Sequence, residues 1–357
     1  MSTRSQTANR GNAPNALRPP RLLVVMDPIG AIEPTKDSSF AMLLEAQKRG
    51  WSSACAELGD IWIRDGIAWG RVTDVRVRDD SHHWFDLGAS QDVRLGDFDV
   101  ILMRKDPPFD AEYVFATYIL ERAEAAGALV VNRAQSLRDA NEKAFVAWFP
   151  EVAAPTLIAR SRSELKAFVQ EHERAVIKPL DLMGGRSVFV TGVDDPNLNV
   201  LLDTMTELGT RYALAQRYVS AIREEGDARI LLIDGEPVPT ALVRYPPPED
   251  HRGNISVGAK TECRPLTDAE RRVCETVGPV LREKGLLFVG IDVIGGWLTE
   301  INVTSPTGIR ELERGGAIGI TAALLDAAAS RAPERRLHTT VSTRNTPLSH
   351  EKTTEKF

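Results

Sequence analysis

Residues 286–310, LLFVGIDVIGGWLTEINVTSPTGIR, restrict the fold of this chain more than any other stretch. Two apolar runs flank Gly295-Gly296, the pattern of two β-strands joined by a tight turn. Asp292, Glu300 and Asn302 are set into those runs. Side chains two apart on a strand share a face. Glu300 and Asn302 therefore project two oxygen ligands from one surface, and Asp292 can add a third. A lone Glu-x-Asn pair would read as a solvated hairpin face. Polar oxygens on otherwise apolar strands are costly unless something is bound. The setting points to a hard cation such as Mg²⁺ bridging carboxylates to nucleotide phosphates. Register then limits the turn. With Gly295-Gly296 alone in the turn, Asp292 falls opposite Thr299 and Glu300 points to the other face. A three-residue loop, Gly295-Gly296-Trp297, pairs Asp292 with Glu300. The expectation is this loop or another of odd length, with one glycine at positive φ.

The chain has 357 residues, room for two or three domains. Its 43% hydrophobic and 26% charged content is that of a globular protein. A net charge of −6 gives no general attraction to nucleic acid or anionic membrane. No apolar run reaches the length of a membrane span. Cys55, Cys263 and Cys274 lack CxxC spacing, which fits a reducing, cytoplasmic compartment and gives no disulfide framework. Residues 1–20 lack the apolar core of a signal peptide and, like residues 330–357, read as disordered polar tails.

The ordered part begins at Arg21. Residues 22–26 (LLVVM) form a strand, and Asp37 or Ser38 caps a helix that Gly50 ends. A second strand follows from Trp51. This β-α-β opening predicts a parallel sheet. Its first loop, DPIGAIEP, lacks G-x-G-x-x-G, which argues against a dinucleotide site. Residues 97–103 (DFDVILM) form a buried strand running into Arg104. Ligands in open α/β sheets sit beyond such carboxyl ends. Lys178 closes another strand just before Met183-Gly184-Gly185-Arg186-Ser187. Backbone N–H groups of a glycine loop can approach phosphate oxygens, and a lysine adds charge. Residues 245–260 are long, polar and Pro/Gly-rich around Arg252-Gly253-Asn254, the composition of a closing lid. Arg104, Arg229, Arg244 and Arg252 can bind carboxylates and phosphates in bidentate fashion near this centre.

Across residues 21–329 the motifs MDPI, KDSSFAMLLEAQKRG, VILMRKDPPFD, ATYILERAE, QSLRDANEK, DGEPVP, RGN and LTEINVTSPTGIRE are nearly collinear with a known family. The chain resembles the bacterial glutathione synthetases, which are ATP-grasp ligases. The resemblance implies an α/β fold. An N-terminal parallel-sheet domain (21–142) precedes an ATP-grasp domain (143–329). The latter holds a lid subdomain (about 143–212) and an antiparallel-sheet catalytic subdomain (about 213–329). It implies ATP-dependent ligation of γ-L-glutamyl-L-cysteine and glycine through an acyl phosphate. Mg²⁺, with Mn²⁺ as an alternative, would be the metal. A cytoplasmic homo-oligomer, a tetramer, is implied, with neither nucleic-acid nor membrane partners.

Carried onto this sequence, Lys143 and Lys178 match nucleotide lysines, and Gly184, Gly185, Arg186 and Ser187 a small phosphate loop. Gln216, Tyr218 and Val219 match the segment beside the adenine, and Asp227 a nucleotide-side acid. Asp292, Glu300 and Asn302 match the metal site, with Asp292 also at the nucleotide. Arg104, Arg229, Arg244, Arg252, Gly253 and Asn254 match peptide-substrate or transition-state contacts, and Ser305-Pro306-Thr307 a substrate-side turn. The catalytic roles fall to Arg229, Arg252 and Lys178. Leu182 stands where the family usually has glycine, and Gly308 where a cysteine is common. The alternatives are an ATP-grasp ligase for another acid–amine pair and a non-catalytic ATP-binding module.

Overall fold

The structure, a computed structural model, describes residues 18–182, 186–247 and 260–332. Outside these lie most of both expected tails, the Gly184-Gly185 pair, and Arg252, Gly253 and Asn254.

Unbroken burial of Leu22, Leu23, Val24 and Val25 marks a strand covered on both faces. This strand, β1 (Arg21–Val25), centres a seven-stranded sheet with β2 (Ser52–Ala56), β3 (Ile61–Arg64), β4 (Ile67–Val77), β5 (Phe85–Arg94), β6 (Val100–Met103) and β7 (Leu129–Val131). β1 pairs in parallel with β2 and β6, and β6 with β7. An antiparallel ribbon of β3, β4 and β5 extends the β2 edge. Helix α1 (Ser38–Lys48) makes the first crossover, and the Asp37 side chain caps it by accepting from Phe40 N at 2.6 Å. Helices α2 (Ala111–Ala125) and α3 (Ala134–Asp139) follow β6 and β7. Arg18, expected in the tail, grips Asp99 through two hydrogen bonds of 2.8 and 3.0 Å.

The second sheet is antiparallel, in the order β10-β9-β11-β8, from β8 (Thr156–Ala159), β9 (Arg174–Pro179), β10 (Phe189–Gly192) and β11 (Ala213–Arg217). Helices α4 (Arg162–His172) and α5 (Leu198–Met205) cover the face carrying Ala175, Ile177, Ala213 and Ala215. Alternation along the strands then sends Lys178 and Gln216 to the opposite face.

The third sheet is antiparallel, with order β15-β14-β12-β16-β17 and β13 beside β12. Its strands are β12 (Asp227–Ile233), β13 (Glu236–Pro237), β14 (Thr240–Tyr245), β15 (Lys260–Pro265), β16 (Phe288–Ile294) and β17 (Trp297–Asn302). Helix α6 (Asp268–Glu283) packs Val273, Val277 and Leu281 in the cluster that holds Ala228, Ile230 and Ile291. Helices α7 (Ile309–Arg314) and α8 (Ile320–Arg331) pack with Leu231, Leu242 and Phe288 of the other face. The same face turns polar toward Arg229 and Asp292.

The β16–β17 turn corrects the loop expected from the sequence. Ile294 pairs with Trp297, so the turn holds only Gly295-Gly296, both at positive φ (+54° and +78°). Asp292 nonetheless pairs with Glu300, because a β-bulge breaks the register between Asp292 and Val293. Thr299 is the unpaired extra residue. A bulge changes strand parity as an added loop residue would. It sits beside the site, and both glycines fit the two-residue turn that matches strand twist.

Candidate active site

Asp227 and Arg229 are two apart on β12, Gly290 and Asp292 two apart on β16, and Arg244 lies on β14. Register sets Arg229 opposite Asp292 and Asp227 opposite Arg244. Arg229 grips Asp292 with two bonds, Nε to Oδ1 at 2.6 Å and Nη2 to Oδ2 at 2.9 Å. Arg244 Nη2 bridges Asp227 Oδ2 at 2.6 Å and Asp292 Oδ1 at 2.9 Å. Gly290 leaves the space Arg229 crosses: a Cβ there would lie 3.0 Å from Arg229 Cδ.

The segment that follows α3 supplies Lys143, and β9 of the second sheet supplies Lys178. Lys143 Nζ pairs with Glu300 Oε1 at 3.0 Å. Lys178 Nζ donates to Gln216 Oε1 and to Thr299 O, each at 3.2 Å. The bulge thus does two things: it aims Glu300 at Asp292, and it offers the Thr299 carbonyl to Lys178. Gln216 Nε2 donates to Thr156 Oγ1 at 3.1 Å. Gln216, matched above to the adenine segment, here orients a lysine. Tyr218 and Val219 follow β11, and the Arg174 guanidinium stacks 4.4 Å from the Tyr218 ring centroid. Arg186 and Ser187 are exposed, and no recorded bond among the described residues joins them to the cluster.

The third group comes from the N-terminal sheet. Arg104 leaves the carboxyl end of β6 with 6% exposure. Its Nε donates to Ser39 Oγ at 3.0 Å and its Nη2 to Pro306 O at 2.9 Å. Its Nη1 is buried without a partner among the described residues. Ser305 Oγ donates to Asp106 Oδ1 at 2.6 Å, and Arg229 Nη1 to Thr307 O at 3.2 Å. The Ser305-Pro306-Thr307 turn is pinned at each residue, and the structure brings it to Arg104 and Arg229.

Electrostatics follow from these pairings. Burial opposes ionisation of Asp292, but Arg229 and Arg244 outweigh it and hold the carboxyl well below the usual range. Burial likewise opposes Glu300, and Lys143 and Lys178 overcome it. Burial lowers Lys178, whereas Glu300 and Glu142 more than compensate for the burial of Lys143. Burial pushes the Asp227 carboxyl up to about 6, with Arg244 offsetting only part. Glu142, Asp227, Asp292 and Glu300 face Lys143, Lys178, Arg229 and Arg244, so the ionised set is balanced before an anionic ligand arrives. Glu300 and Asn302 are partly exposed residues on one face, with Asp292 opposite Glu300. Among the described residues, no three His, Cys, Asp or Glu side chains are grouped so that they could hold a metal ion.

Two family models cover this architecture. Prokaryotic glutathione synthetase, N-terminal domain, matches residues 21–138, and its ATP-grasp domain matches residues 142–316. The chain belongs to the prokaryotic glutathione synthetase family. It is 52% identical to the glutathione synthetase of Yersinia pestis over 317 residues, 88% of this chain and 99% of that one. It is 51% identical to that of Escherichia coli strain K12 over 311 residues, 87% and 98% of the two chains. Among solved structures, D-cycloserine synthetase DcsG matches with a TM-score of 0.62 at 15% identity, covering 88% of this chain and all of that one. D-alanyl-alanine synthetase A from Vibrio cholerae matches at 0.54 and 14%, covering 88% of this chain and 99% of that one. These distant neighbours carry the fold alone.

Sequence reasoning missed Glu142, Asp106 and Ser39. Asp106 and Ser39 bond to Ser305 and Arg104, and Glu142 bonds to residues 303 and 304, which link Asn302 to Ser305. Their signal in the sequence is only adjacency: Glu142 beside Lys143, and Asp106 two residues past Arg104.

Proposed function

We infer that this chain is a glutathione synthetase, joining γ-L-glutamyl-L-cysteine to glycine at the expense of ATP. The observation that carries the reading is the 52% identity spanning 99% of a glutathione synthetase. The cysteinyl carboxylate attacks the γ-phosphorus of ATP, the β–γ bridge breaks, and ADP leaves an acyl phosphate. The glycine amine then attacks the acyl carbon, loses a proton and expels phosphate. Neither step needs a protein nucleophile; both need positioning and charge neutralisation.

In this reading Lys143 and Lys178 meet phosphate oxygens. Both are buried cations, held by Glu300 and by Gln216 with Thr299 O. Arg229 and Arg244 face the transferring group, and Asp227 with the segment through Tyr218 and Val219 faces the nucleoside. Arg104 takes a carboxylate of the peptide, for which its partnerless Nη1 is the support. Ser305, Pro306 and Thr307 border the acceptor. The donor set of Asp292, Glu300 and Asn302 fits a hard divalent cation: its atoms are oxygens, and its three side chains share one face. Such a cation would supply the positive charge that the balanced side chains lack. Arg229 and Arg244 fill both Asp292 oxygens, so Asp292 would serve by exchanging a guanidinium contact.

The same proposal includes a cytoplasmic location, for which the three free cysteines are the support, and a homotetramer, which sedimentation tests. A coupled ADP assay tests the reaction. ADP should appear only with γ-glutamylcysteine, glycine, ATP and Mg²⁺ together. Turnover with D-alanine pairs and none with γ-glutamylcysteine would favour the other ligase reading.

A further inference from the structure

Strand β17 ends at Asn302, yet the next residues remain buried: Val303 is 0% and Thr304 3% exposed. Buried backbone groups beyond a strand need partners. Here residues 132–142, which span the junction of the two family-matched regions, supply them. Glu142 Oε1 accepts from Val303 N at 2.9 Å, Thr304 N at 2.9 Å and Thr304 Oγ1 at 2.7 Å. The Glu142 carbonyl accepts from Ile301 N at 2.9 Å. Asn132 Nδ2 donates to Val303 O and Phe288 O, each at 2.7 Å, and Asn132 Oδ1 accepts from Phe288 N at 2.8 Å. Both polar backbone groups of Val303 are therefore held by side chains from residues 132–142. The next residue, Lys143, holds Glu300 directly.

We propose that Glu142 is a positioning residue for the phosphoryl-transfer centre. Its carboxylate stands in for a missing neighbouring strand and fixes the backbone that aims Glu300 and Asn302 on one side and Ser305 on the other. Glu142 touches neither substrate nor nucleotide in this role. The inference rests on the ligase reading above. Three bonds to one oxygen, two of them from consecutive amides, give an orientation that no single contact would. Contacts behind directly acting residues commonly carry tenfold to hundredfold effects on activity. Val303 and Thr304 lie between Asn302 and Ser305, so a shift of this backbone moves both groups at once.

The test compares Glu142→Ala, Glu142→Gln and Thr304→Val in the full chain, by steady-state ADP release and thermal melting. In Glu142→Ala, kcat per folded molecule should fall about tenfold to a hundredfold, with KM for ATP within about twofold of the parent. Glu142→Gln keeps an amide oxygen for the two backbone N–H groups and should recover most of the loss. Thr304→Val removes one of the three bonds and should lower kcat a few-fold; it decides the matter if Glu142→Ala does not fold. An unchanged kcat in Glu142→Ala, or in Thr304→Val where Ala fails to fold, overturns the proposal. So does a Gln variant as slow as Ala. Absence of turnover in the parent protein would instead strike the ligase reading.

Discussion

Two buried arginine sites meet at the Ser305-Pro306-Thr307 turn, and they are built oppositely. In the third sheet, Arg229 and Arg244 are neutralised within the fold by Asp292 and Asp227 at 2.6–2.9 Å. At the end of β6, Arg104 holds a hydroxyl and a carbonyl; among the described residues no carboxylate bonds to it and its Nη1 lacks a partner. Burial accordingly lowers the Arg104 pKa, while Asp292 outweighs burial at Arg229 and raises it. A balanced site belongs to the standing architecture, and breaking it leaves an uncompensated buried charge. In the proposed reading, an anion from outside completes the unbalanced site. The first should therefore couple activity to stability, and the second should separate them.

The largest effect falls on the balanced site. Asp292→Asn leaves Arg229 and Arg244 buried without their shared carboxylate. Turnover should drop by a hundredfold or more on the order expected for a lost charge-stabilising group. Stability should drop by about 3 kcal/mol, the lower range for breaking a buried pair. Urea unfolding and ADP release measure both. A variant with parental stability would show that the arginines are not held by this acid.

Glu300→Gln comes next and sharpens the contrast within the hairpin. Glu300 is partly accessible, with 22% of its side chain exposed, and pairs only with Lys143 among the ion pairs described. Turnover should fall on the order of a hundredfold, while stability falls less than in Asp292→Asn, because Glu142 still faces the buried Lys143. Near-normal turnover at ordinary Mg²⁺ would remove Glu300 from the charge-bearing set.

The unbalanced site gives a smaller effect of a different kind. Arg104→Met should raise KM for γ-glutamylcysteine on the order of tenfold or more, as expected for a lost bidentate carboxylate contact. KM for ATP should stay unchanged. Stability should change less than in Asp292→Asn, because an apolar side chain replaces a buried charge to which no carboxylate among the described residues bonds. A stability loss as large as that of Asp292→Asn, with normal peptide KM, would make Arg104 a structural residue.

What the sequence shows of these sites depends on how local the cause is. Asp37 as a cap, the parallel β1–β2 opening and the convergence of Asp292 with Glu300 rest on spacing, and spacing is written in the chain. The device that produces the convergence was not legible. A bulge at Thr299 and a longer turn give the same parity, and only the tertiary pull of Lys178 on the Thr299 carbonyl distinguishes them. β5 was illegible for another reason: all but two of its residues are exposed, leaving no apolar alternation to read. Glu142 and Asn132 were invisible because all the partners named for them but the Thr304 hydroxyl are backbone groups, of residues 288, 301, 303 and 304, and backbone groups leave no residue-type signature.

The smallest expected effect probes how closely the balanced site is fitted. Gly290 shares its face with Asp292, two residues on, and the Arg229 side chain crosses above it. A Cβ at Gly290 would sit 3.0 Å from Arg229 Cδ, 3.3 Å from its Nε and 3.1 Å from Pro306 Cβ. Contacts this close force a neighbour to move by a few tenths of an ångström. Arg229 cannot move freely, since Asp292 holds both Nε and Nη2 and Thr307 O holds Nη1. Pro306 is tied in turn by Arg104 to its carbonyl. Gly290→Ala should therefore shift the guanidinium and the Ser305-Pro306-Thr307 turn together. The cost should appear as a loss of about threefold to tenfold in kcat/KM, since sub-ångström misplacement is expensive in catalysis. The strand itself gains a better β-former than glycine, which limits the loss of stability. Unchanged kcat/KM in a normally folded variant would mean that Arg229 reaches its working position by a path that does not depend on the space over Gly290.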